Sequence, residues 1–236
     1  MLPQITNFKL GIGIPITWSH VPVPFFLSFI LMERPDFELI YPREDRCPLD
    51  EVRNNIVREA QGKNCTHLIM MDTDQVYHPK TITRLLSGNL PVVGCKVHRR
   101  YPPFDPLMLS GRVNHYRTIE EWQAGEVKDV DATGTGCLLF QMNVFQKIPG
   151  PWFRFRKNRN PRTGGTIGED IHFCSRLRRA GYKIFVDTSV PAGHLSTMII
   201  TEDTWKLYRA IKKAKERKGD RPVALTADYE GRSDKI

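Results

Sequence analysis

The sequence predicts an α/β fold in which a mixed, mainly parallel sheet is flanked by helices. Apolar runs of strand length alternate with segments whose apolar residues recur at helical spacing. This alternation is typical of strand–helix–strand units, which build parallel, doubly wound sheets. The chain has 236 residues, enough for one sizeable α/β domain, or for one domain and a tail.

The N-terminal part of the chain has the clearest alternation. Apolar residues recur at helical spacing from Val52 to Ala60, and Gly62 ends that pattern. A proline, Pro22, lies near the start of the first predicted helix, where the missing amide hydrogen costs nothing. The predicted strands are residues 9–16, 37–41, 67–71 and 90–95, and the predicted helices are residues 22–33, 50–61 and 79–87.

The remainder of the chain is less regular. Two segments, 107–116 and 127–130, are predicted to pair as strands, and a Gly/Thr loop leads into a strand at 137–141. A basic loop is expected up to Gly168, then a helix at 170–180 and a strand at 183–186. We expect a single domain over residues 1–203. Residues 204–236 are expected to hold a basic amphipathic helix, at 204–217, and a mobile tail.

Charge and composition limit the classes of partner. The formal net charge of +9 favours anionic partners, although a solvated basic face and tail would explain it as well. The apolar segment 21–32 contains two prolines and is shorter than the roughly 20 residues that span a bilayer, so no integral membrane segment is expected. Five cysteines without a C-x-x-C pair favour a reduced, cytoplasmic setting, with peripheral membrane contact left open.

Two carboxylates, Asp72 and Asp74, follow directly after the predicted strand at 67–71. Side chains two residues apart on an extended strand point the same way, so both can approach one cation. Hard oxygen ligands suit Mg²⁺ or Mn²⁺ shared with a phosphate-bearing substrate. The alternative is a pair of turn or helix-capping carboxylates.

A second acidic pair opens the predicted helix at 170–180. Glu169 and Asp170 follow a loop that is rich in glycine. A carboxylate in this position suits a general base that deprotonates an acceptor hydroxyl. The alternative is simple compensation of the helix dipole, and the two interpretations are compatible.

Three further residues are candidates for the site. His194, between a glycine and a leucine, is either a satisfied histidine or a third metal ligand that would favour Mn²⁺ over Mg²⁺. Gly134, in a loop that lacks the spacing of a phosphate-binding motif, would let the backbone approach a substrate. Trp152 would stack on a sugar or lie in the core.

Taken in order, these motifs resemble those of GT-A fold glycosyltransferases of the family-two type. The resemblance covers roughly residues 9 to 200 and includes Arg53-Asn54, Asp72-Thr73-Asp74, the segments 132–136, 151–153 and 168–174, and Ala192-Gly193-His194. It implies that Asp74 binds the cation directly, that Asp72 contacts the ribose or the metal, and that His194 completes the metal site. It further implies a base at Asp170 with Glu169 beside it. Nucleotide-sugar contacts are implied for Thr17, Asp45, Arg53, Asp72, Gly134 and Trp152.

The resemblance also implies a reaction. One sugar would pass from a nucleotide-diphospho-sugar, with UDP favoured, to an acceptor hydroxyl, with inversion and with Mn²⁺ or Mg²⁺ as cofactor. The enzyme would be of the hexosyltransferase type, and a polymerising synthase is disfavoured because no Q-x-x-R-W stretch is present. The acceptor is left open among a glycan, a lipid-linked molecule and a nucleic acid.

Two alternatives belong to other classes. A nucleotidyltransferase would carry a basic loop after its first strand, and none follows Pro15. A non-catalytic nucleic-acid or membrane-surface binder is suggested by the charge, but it does not explain the order of the acidic motifs. A transferase that glycosylates hydroxylated DNA bases combines both ideas.

Overall fold

The computed structural model describes residues 8–17, 19–41, 47–101, 104–158 and 165–196, together with Glu202, Leu207 and Ala210. Its helices are α1 (Val23–Ile30), α2 (Leu49–Gly62), α3 (Thr81–Ser87), α4 (Asn143–Lys147) and α5 (Glu169–Arg179). Its strands are β1 (Leu10–Gly13), β2 (Phe37–Ile40), β3 (His67–Met71), β4 (Gln75–Val76), β5 (Val92–Val97), β6 (Leu109–Ser110), β7 (Arg117–Thr118), β8 (Val127–Val130), β9 (Cys137–Gln141), β10 (Arg156–Lys157), β11 (Thr166–Ile167) and β12 (Ile184–His194).

The central sheet is mixed and has eight strands in the described part of the chain. Their order is β2-β1-β3-β9-β5-β12-β4, and β8 pairs with β12 beside this path. Five of the strands, β1, β2, β3, β5 and β12, run in one direction, whereas β4, β8 and β9 oppose them. The predicted α/β fold with a mainly parallel sheet is therefore confirmed.

Helices cover both faces of the sheet. Alternate residues of β3 point to opposite sides, with Met70 in one core cluster and Met71 in the other. The first cluster takes in the buried faces of α2 and α5, and the second takes in those of α1 and α3. Gly13 lets α2 lie close to β1, because a Cβ atom there would sit 2.3 Å from Cγ2 of Ile56.

The predicted pairing of residues 107–116 with 127–130 is wrong. β6, which lies in the first segment, pairs with β7, which begins just after that segment, and β8 pairs with β12 over Ile184 to Asp187. β12 also continues well beyond the predicted end at residue 186, through a register shift between Asp187 and Ala192. That shift lets a strand contain Pro191 and Gly193 and deliver His194 at its last position.

The C-terminal predictions are largely outside the described residues. The chain divides into two units after Ser196. Leu207 and Ala210 are helical, and the rest of the predicted helix at 204–217 and the predicted tail lie outside the described residues. In the part of the chain that the structure describes, no helix is long and apolar enough to cross a bilayer. All five cysteines are free thiols, and four of them are buried.

Candidate functional site

A cleft of about 470 Å³ opens at the carboxyl ends of β1 and β3. These two strands are parallel neighbours, so the loops that follow them meet at one edge of the sheet. The cleft is lined by Pro15, Thr17, His20, Pro22, Leu49, Asp72, Thr73, Asp74 and Arg100. The structure thus brings Thr17 together with the two carboxylates.

Asp72 is paired with a buried arginine. Nη2 of Arg53 donates to both carboxylate oxygens of Asp72, at 2.9 and 3.1 Å. Nε of the same guanidinium donates to Oε1 of Glu169 at 3.2 Å. Arg53 is only 2% exposed and Glu169 6%, so this ion cluster lies largely away from water. Burial lowers the pKa of Arg53, but the nearby carboxylates outweigh it, and the net shift is upward.

Arg53 therefore acts on the cleft through Asp72 and Glu169 and is not itself among the residues lining the cleft. It comes from α2, whereas its partners follow β3 and open α5. One guanidinium consequently joins the carboxylate pair of the cleft to the helix that carries Asp170.

Asp74 faces a histidine and an arginine. Oδ2 of Asp74 lies 3.3 Å from Nε2 of His194 and 3.0 Å from Nη1 of Arg100. Burial raises the pKa of Asp74, but the hydrogen bond from His194 and the charges of His194 and Arg100 lower it, and the net shift is downward. The hydrogen bond with Asp74 raises the pKa of His194.

The orientation of the imidazole is set by a backbone contact. Nδ1 of His194 lies 2.7 Å from the carbonyl oxygen of His98, which only accepts, so Nδ1 carries the proton. The hydrogen bond to Asp74 then needs a second proton, on Nε2, and loss of that proton leaves the Nε2 lone pair facing Oδ2 of Asp74. A ring held in this way is the arrangement seen at metal-binding histidines.

The predicted metal set of three residues is only partly assembled. Among the described residues, no three His, Cys, Asp or Glu side chains converge on one point. Asp74 and His194 are brought together, but Asp72 turns both its oxygens to Arg53, because a buried guanidinium needs a partner. A carboxylate and an imidazole are ligand types that suit a Mn²⁺ or Mg²⁺ ion otherwise held by substrate oxygens.

Asp170 lies in the first turn of α5, on the far side of the Arg53 cluster. Its Oδ1 accepts the amide hydrogen of Ile171 at 2.6 Å. Burial, and next the charge of Glu169, raise the pKa of Asp170 to about 6, against a smaller lowering by that hydrogen bond and by Arg53. A carboxylate with this pKa is mostly ionised at neutral pH and is still a better proton acceptor than a solvated aspartate.

The glycine loop before β9 packs against both acidic groups. A Cβ atom at Gly134 would lie 3.8 Å from Oδ2 of Asp170, and one at Gly136 would lie 2.8 Å from Oδ2 of Asp72. The hydroxyl of Tyr77 lies 2.7 Å from the carbonyl oxygens of both Asp72 and Gly136 and holds the loop against the end of β3. The absence of a side chain at Gly136 lets the loop approach Asp72 this closely.

Trp152 is a core residue, contrary to its predicted contact with the sugar. It is 7% exposed, its indole nitrogen donates to the carbonyl oxygen of Ile148 at 2.7 Å, and its ring packs edge-on against Phe145. Asn54 fixes the segment by accepting the amide hydrogen of Trp152 at 2.8 Å. The local sequence around an aromatic residue next to a proline does not show whether that residue is buried in the core or exposed at the surface.

Asp45, predicted to hold the nucleoside, lies outside the described residues. Arg100 and Tyr77 are site residues that the sequence analysis missed. Arg100 had a usable signal, since it ends a basic stretch just after the strand next to the site. No signal in the sequence marked Tyr77, because its contact with the loop before β9 depends on the pairing of β9 with β3.

Comparisons with known proteins support the fold. No protein-family model matches the chain, and no curated protein matches it. A197 from STIV is similar in structure, with 16% identity, a TM-score of 0.54, and coverage of 81% of this chain and 87% of that one. The structure of GalNAc-T7 with UDP, GalNAc and Mn²⁺ is similar at 11% identity and a TM-score of 0.55, over 81% of this chain. The chain spans 44% of the length of GalNAc-T7. At these identities the likeness extends to the fold, which is of the GT-A, Rossmann-like type.

Proposed function

We propose that this protein is a metal-dependent glycosyltransferase that moves one sugar from a nucleotide-diphospho-sugar to an acceptor hydroxyl. The observation that carries the proposal is the single ion cluster that joins the two halves of the site. Asp72 borders the cleft, Arg53 binds Asp72, and Glu169 binds Arg53 beside Asp170. A donor in the cleft would therefore lie next to a carboxylate that can act as a base.

The donor half of the site comprises Thr17 and the segment from Asp72 to Asp74. Thr17 and the walls of the cleft would bind the nucleoside, and Asp74 and His194 would hold Mn²⁺ or Mg²⁺. Such an ion, when bound, neutralises the charge that develops on the diphosphate leaving group. The UDP and Mn²⁺ bound by GalNAc-T7, which has a similar fold, favour UDP and Mn²⁺ here.

The acceptor half of the site is Asp170 with the backbone around Gly134. The acceptor oxygen would attack the anomeric carbon, its proton would pass to a carboxylate oxygen of Asp170, and the bond from that carbon to the diphosphate would break. A new carbon–oxygen bond and a nucleoside diphosphate result. One base acting opposite the leaving group favours inversion.

The test is a thermal-shift and calorimetric screen with Mn²⁺ and a panel of nucleotide sugars. Ligands that bind only the native state raise its apparent stability. We expect a shift for one nucleotide that requires Mn²⁺ and is lost in Asp74→Ala and in His194→Ala. Asp36→Ala removes a carboxylate outside the site and should leave the shift in place.

A folded wild-type protein that responds to none of these ligands would refute the proposal. So would a response that both site variants retain in full.

A further inference from the structure

A basic face lies beside α5 and consists of Arg154, Arg156, Arg176 and Arg179, with His172 among them. Phe155 adjoins two of these arginines in the chain. Arg154 and Phe155 directly precede β10 and Arg156 is its first residue, whereas His172, Arg176 and Arg179 come from α5. Arg156 pairs with Ile167 across the hairpin, three residues before Asp170. The hairpin thus holds these arginines next to the start of the helix that carries the proposed base.

Three residues of α5 contribute one stripe to this face. His172, Arg176 and Arg179 follow each other at spacings of four and three residues, which places them on one side of a helix. Arg176 donates to the carbonyl oxygens of Pro151, at 2.5 Å, and Trp152, at 3.2 Å, so its guanidinium is held in place. From Asp170 to Arg179 the helix rises by about 14 Å.

The charge of the basic face is not balanced by nearby acids. Within the described part of the chain, no carboxylate forms an ion pair with any of the four arginines. Asp50 and Glu51 border a neighbouring cleft with Arg154 without pairing with it, and Asp50 accepts the amide hydrogen of Phe155 at 3.4 Å.

The residues within the face respond to this excess of positive charge. Burial and then the four arginines lower the pKa of His172 to about 4, so the imidazole is neutral. Its Nδ1 is buried without a hydrogen-bond partner. Burial and the charge of Arg154 also lower the pKa of Arg176. Like charges held together in this way are relieved by an anionic ligand.

An exposed aromatic ring adds a second kind of contact. Phe155 is 44% exposed and lies between two arginines in the sequence. An exposed ring that neighbours two arginines in the chain offers a base a surface on which to stack, while the guanidinium groups supply phosphate contacts.

We propose that the basic face binds a single-stranded nucleic acid, which serves as the acceptor; this rests on the proposed function. The arginines contact phosphates, Phe155 stacks on an unpaired base, and a hydroxyl of the strand reaches Asp170. That hydroxyl forms the new bond to the sugar carbon and gives its proton to Asp170 as the nucleoside diphosphate leaves.

A lipid surface fits these observations less well. The exposed apolar side chains of α1 would serve membrane contact, but α1 packs on the opposite face of the sheet from α5. They are Val23, Phe26, Leu27, Ile30 and Leu31. A planar bilayer therefore could not contact that apolar surface and the basic face at once.

The test is fluorescence anisotropy with labelled 12-residue oligonucleotides, as single-stranded DNA, single-stranded RNA and duplex DNA, over a range of salt concentrations. Flotation with vesicles of phosphatidylserine and phosphatidylcholine tests whether the protein binds a lipid surface instead. We expect one or both single strands to bind most tightly. The two single-stranded arms distinguish DNA from RNA as the source of the strand.

Variants locate the binding. The triple variant Arg154→Ala/Arg156→Ala/Arg179→Ala should reduce the slope of log K against log salt by about 2. The matched control Lys80→Ala/Arg112→Ala/Arg117→Ala removes the same charge elsewhere and should leave the slope nearly unchanged. Phe155→Ala should weaken single-strand binding about tenfold, and Phe26→Ala, which removes an exposed ring from α1, should not.

Several outcomes overturn the proposal. An equal decrease in the slope of log K against log salt in both triple variants would mean that net charge alone attracts the strand. Preference for duplex DNA or for vesicles would refute the single-strand assignment. A donor response without strand binding removes the acceptor assignment and leaves the proposed function intact. Strand binding without any donor response refutes the proposed function and, with it, the role of the strand as acceptor.

Discussion

In the folded chain, Nη2 of Arg53 lies 2.9 and 3.1 Å from the two carboxylate oxygens of Asp72, although 18 residues separate them in the sequence. The same guanidinium reaches Glu169 at 3.2 Å. A buried cation between two acids joins α2, the end of β3 and the start of α5. The cluster sets the relative positions of Asp72 and Asp170, which we propose serve the donor and the acceptor.

Arg53→Met should destabilise the protein strongly. Removal of the guanidinium leaves Asp72 and the buried Glu169 without their partner, and breaking a buried ion pair in this way costs about 3–5 kcal/mol. Urea unfolding at pH 7 measures the loss in the free energy of unfolding. Arg53→Lys keeps the charge but not the forked geometry and should lose less. A loss below about 1 kcal/mol for Arg53→Met would contradict this account.

Asp170→Asn should abolish transfer and stabilise the protein at alkaline pH. The folded-state pKa of Asp170, about 6, is above its ordinary value of 3.8, so the folded chain binds this proton more tightly than the unfolded chain. Stability from this group is therefore present at low pH and is lost as the pH rises through 6. Relative to the wild type, the free energy of unfolding of Asp170→Asn should be higher by up to about 3 kcal/mol at pH 8 and almost unchanged at pH 3.5.

Thermal unfolding at both pH values tests this expectation, with Asp36→Asn as a control for the loss of a carboxylate outside the site. Transfer by the wild type should fall as the pH drops below about 6, because a protonated Asp170 cannot accept a proton. If Asp170→Asn stabilised the protein equally at pH 8 and at pH 3.5, ionisation of Asp170 would not be the cause of the stabilisation.

Arg100→Ala should tighten the binding of Mn²⁺. Nη1 of Arg100 lies 3.0 Å from Oδ2 of Asp74, where it competes with a metal ion for the carboxylate. Both side chains are partly exposed, so the gain should be about two- to fivefold in Kd by titration calorimetry without donor. Arg99→Ala removes the adjacent charge and should have little effect. Weaker binding in Arg100→Ala would show that Arg100 does not compete.

Gly136→Ala should weaken donor binding more than it weakens the fold. A Cβ atom there would sit 2.1 Å from Nε2 of Gln75 and 2.8 Å from Oδ2 of Asp72, so both side chains would have to move. Gly62→Ala is the control, because a Cβ atom at the end of α2 has no other atom within 4 Å. It should raise the free energy of unfolding by up to about 1 kcal/mol. Calorimetry with donor and thermal unfolding of both variants measure the two effects. Unchanged donor affinity in Gly136→Ala would exclude a role for this close contact.

The sequence by itself determined the fold class and the identity of the acidic groups. Strand and helix periods are local properties, since they follow from side-chain spacing along the chain. The end of a parallel strand is also a local feature, so Asp72 and Asp74 could be assigned to the edge of the sheet in advance. The acidic start of α5 was predicted for the same reason.

The tertiary structure alone decided which of these groups meet. The insertion of β9 between β3 and β5 brings Gly136 to Asp72, and the continuation of β12 brings His194 to Asp74 across 120 residues. Burial of Arg53 turned Asp72 away from the predicted metal set, and burial of the indole put Trp152 in the core. These outcomes depend on long-range packing and on the free-energy cost of leaving a buried charge unpaired. Neither produces a periodic pattern in the sequence from which it could be predicted.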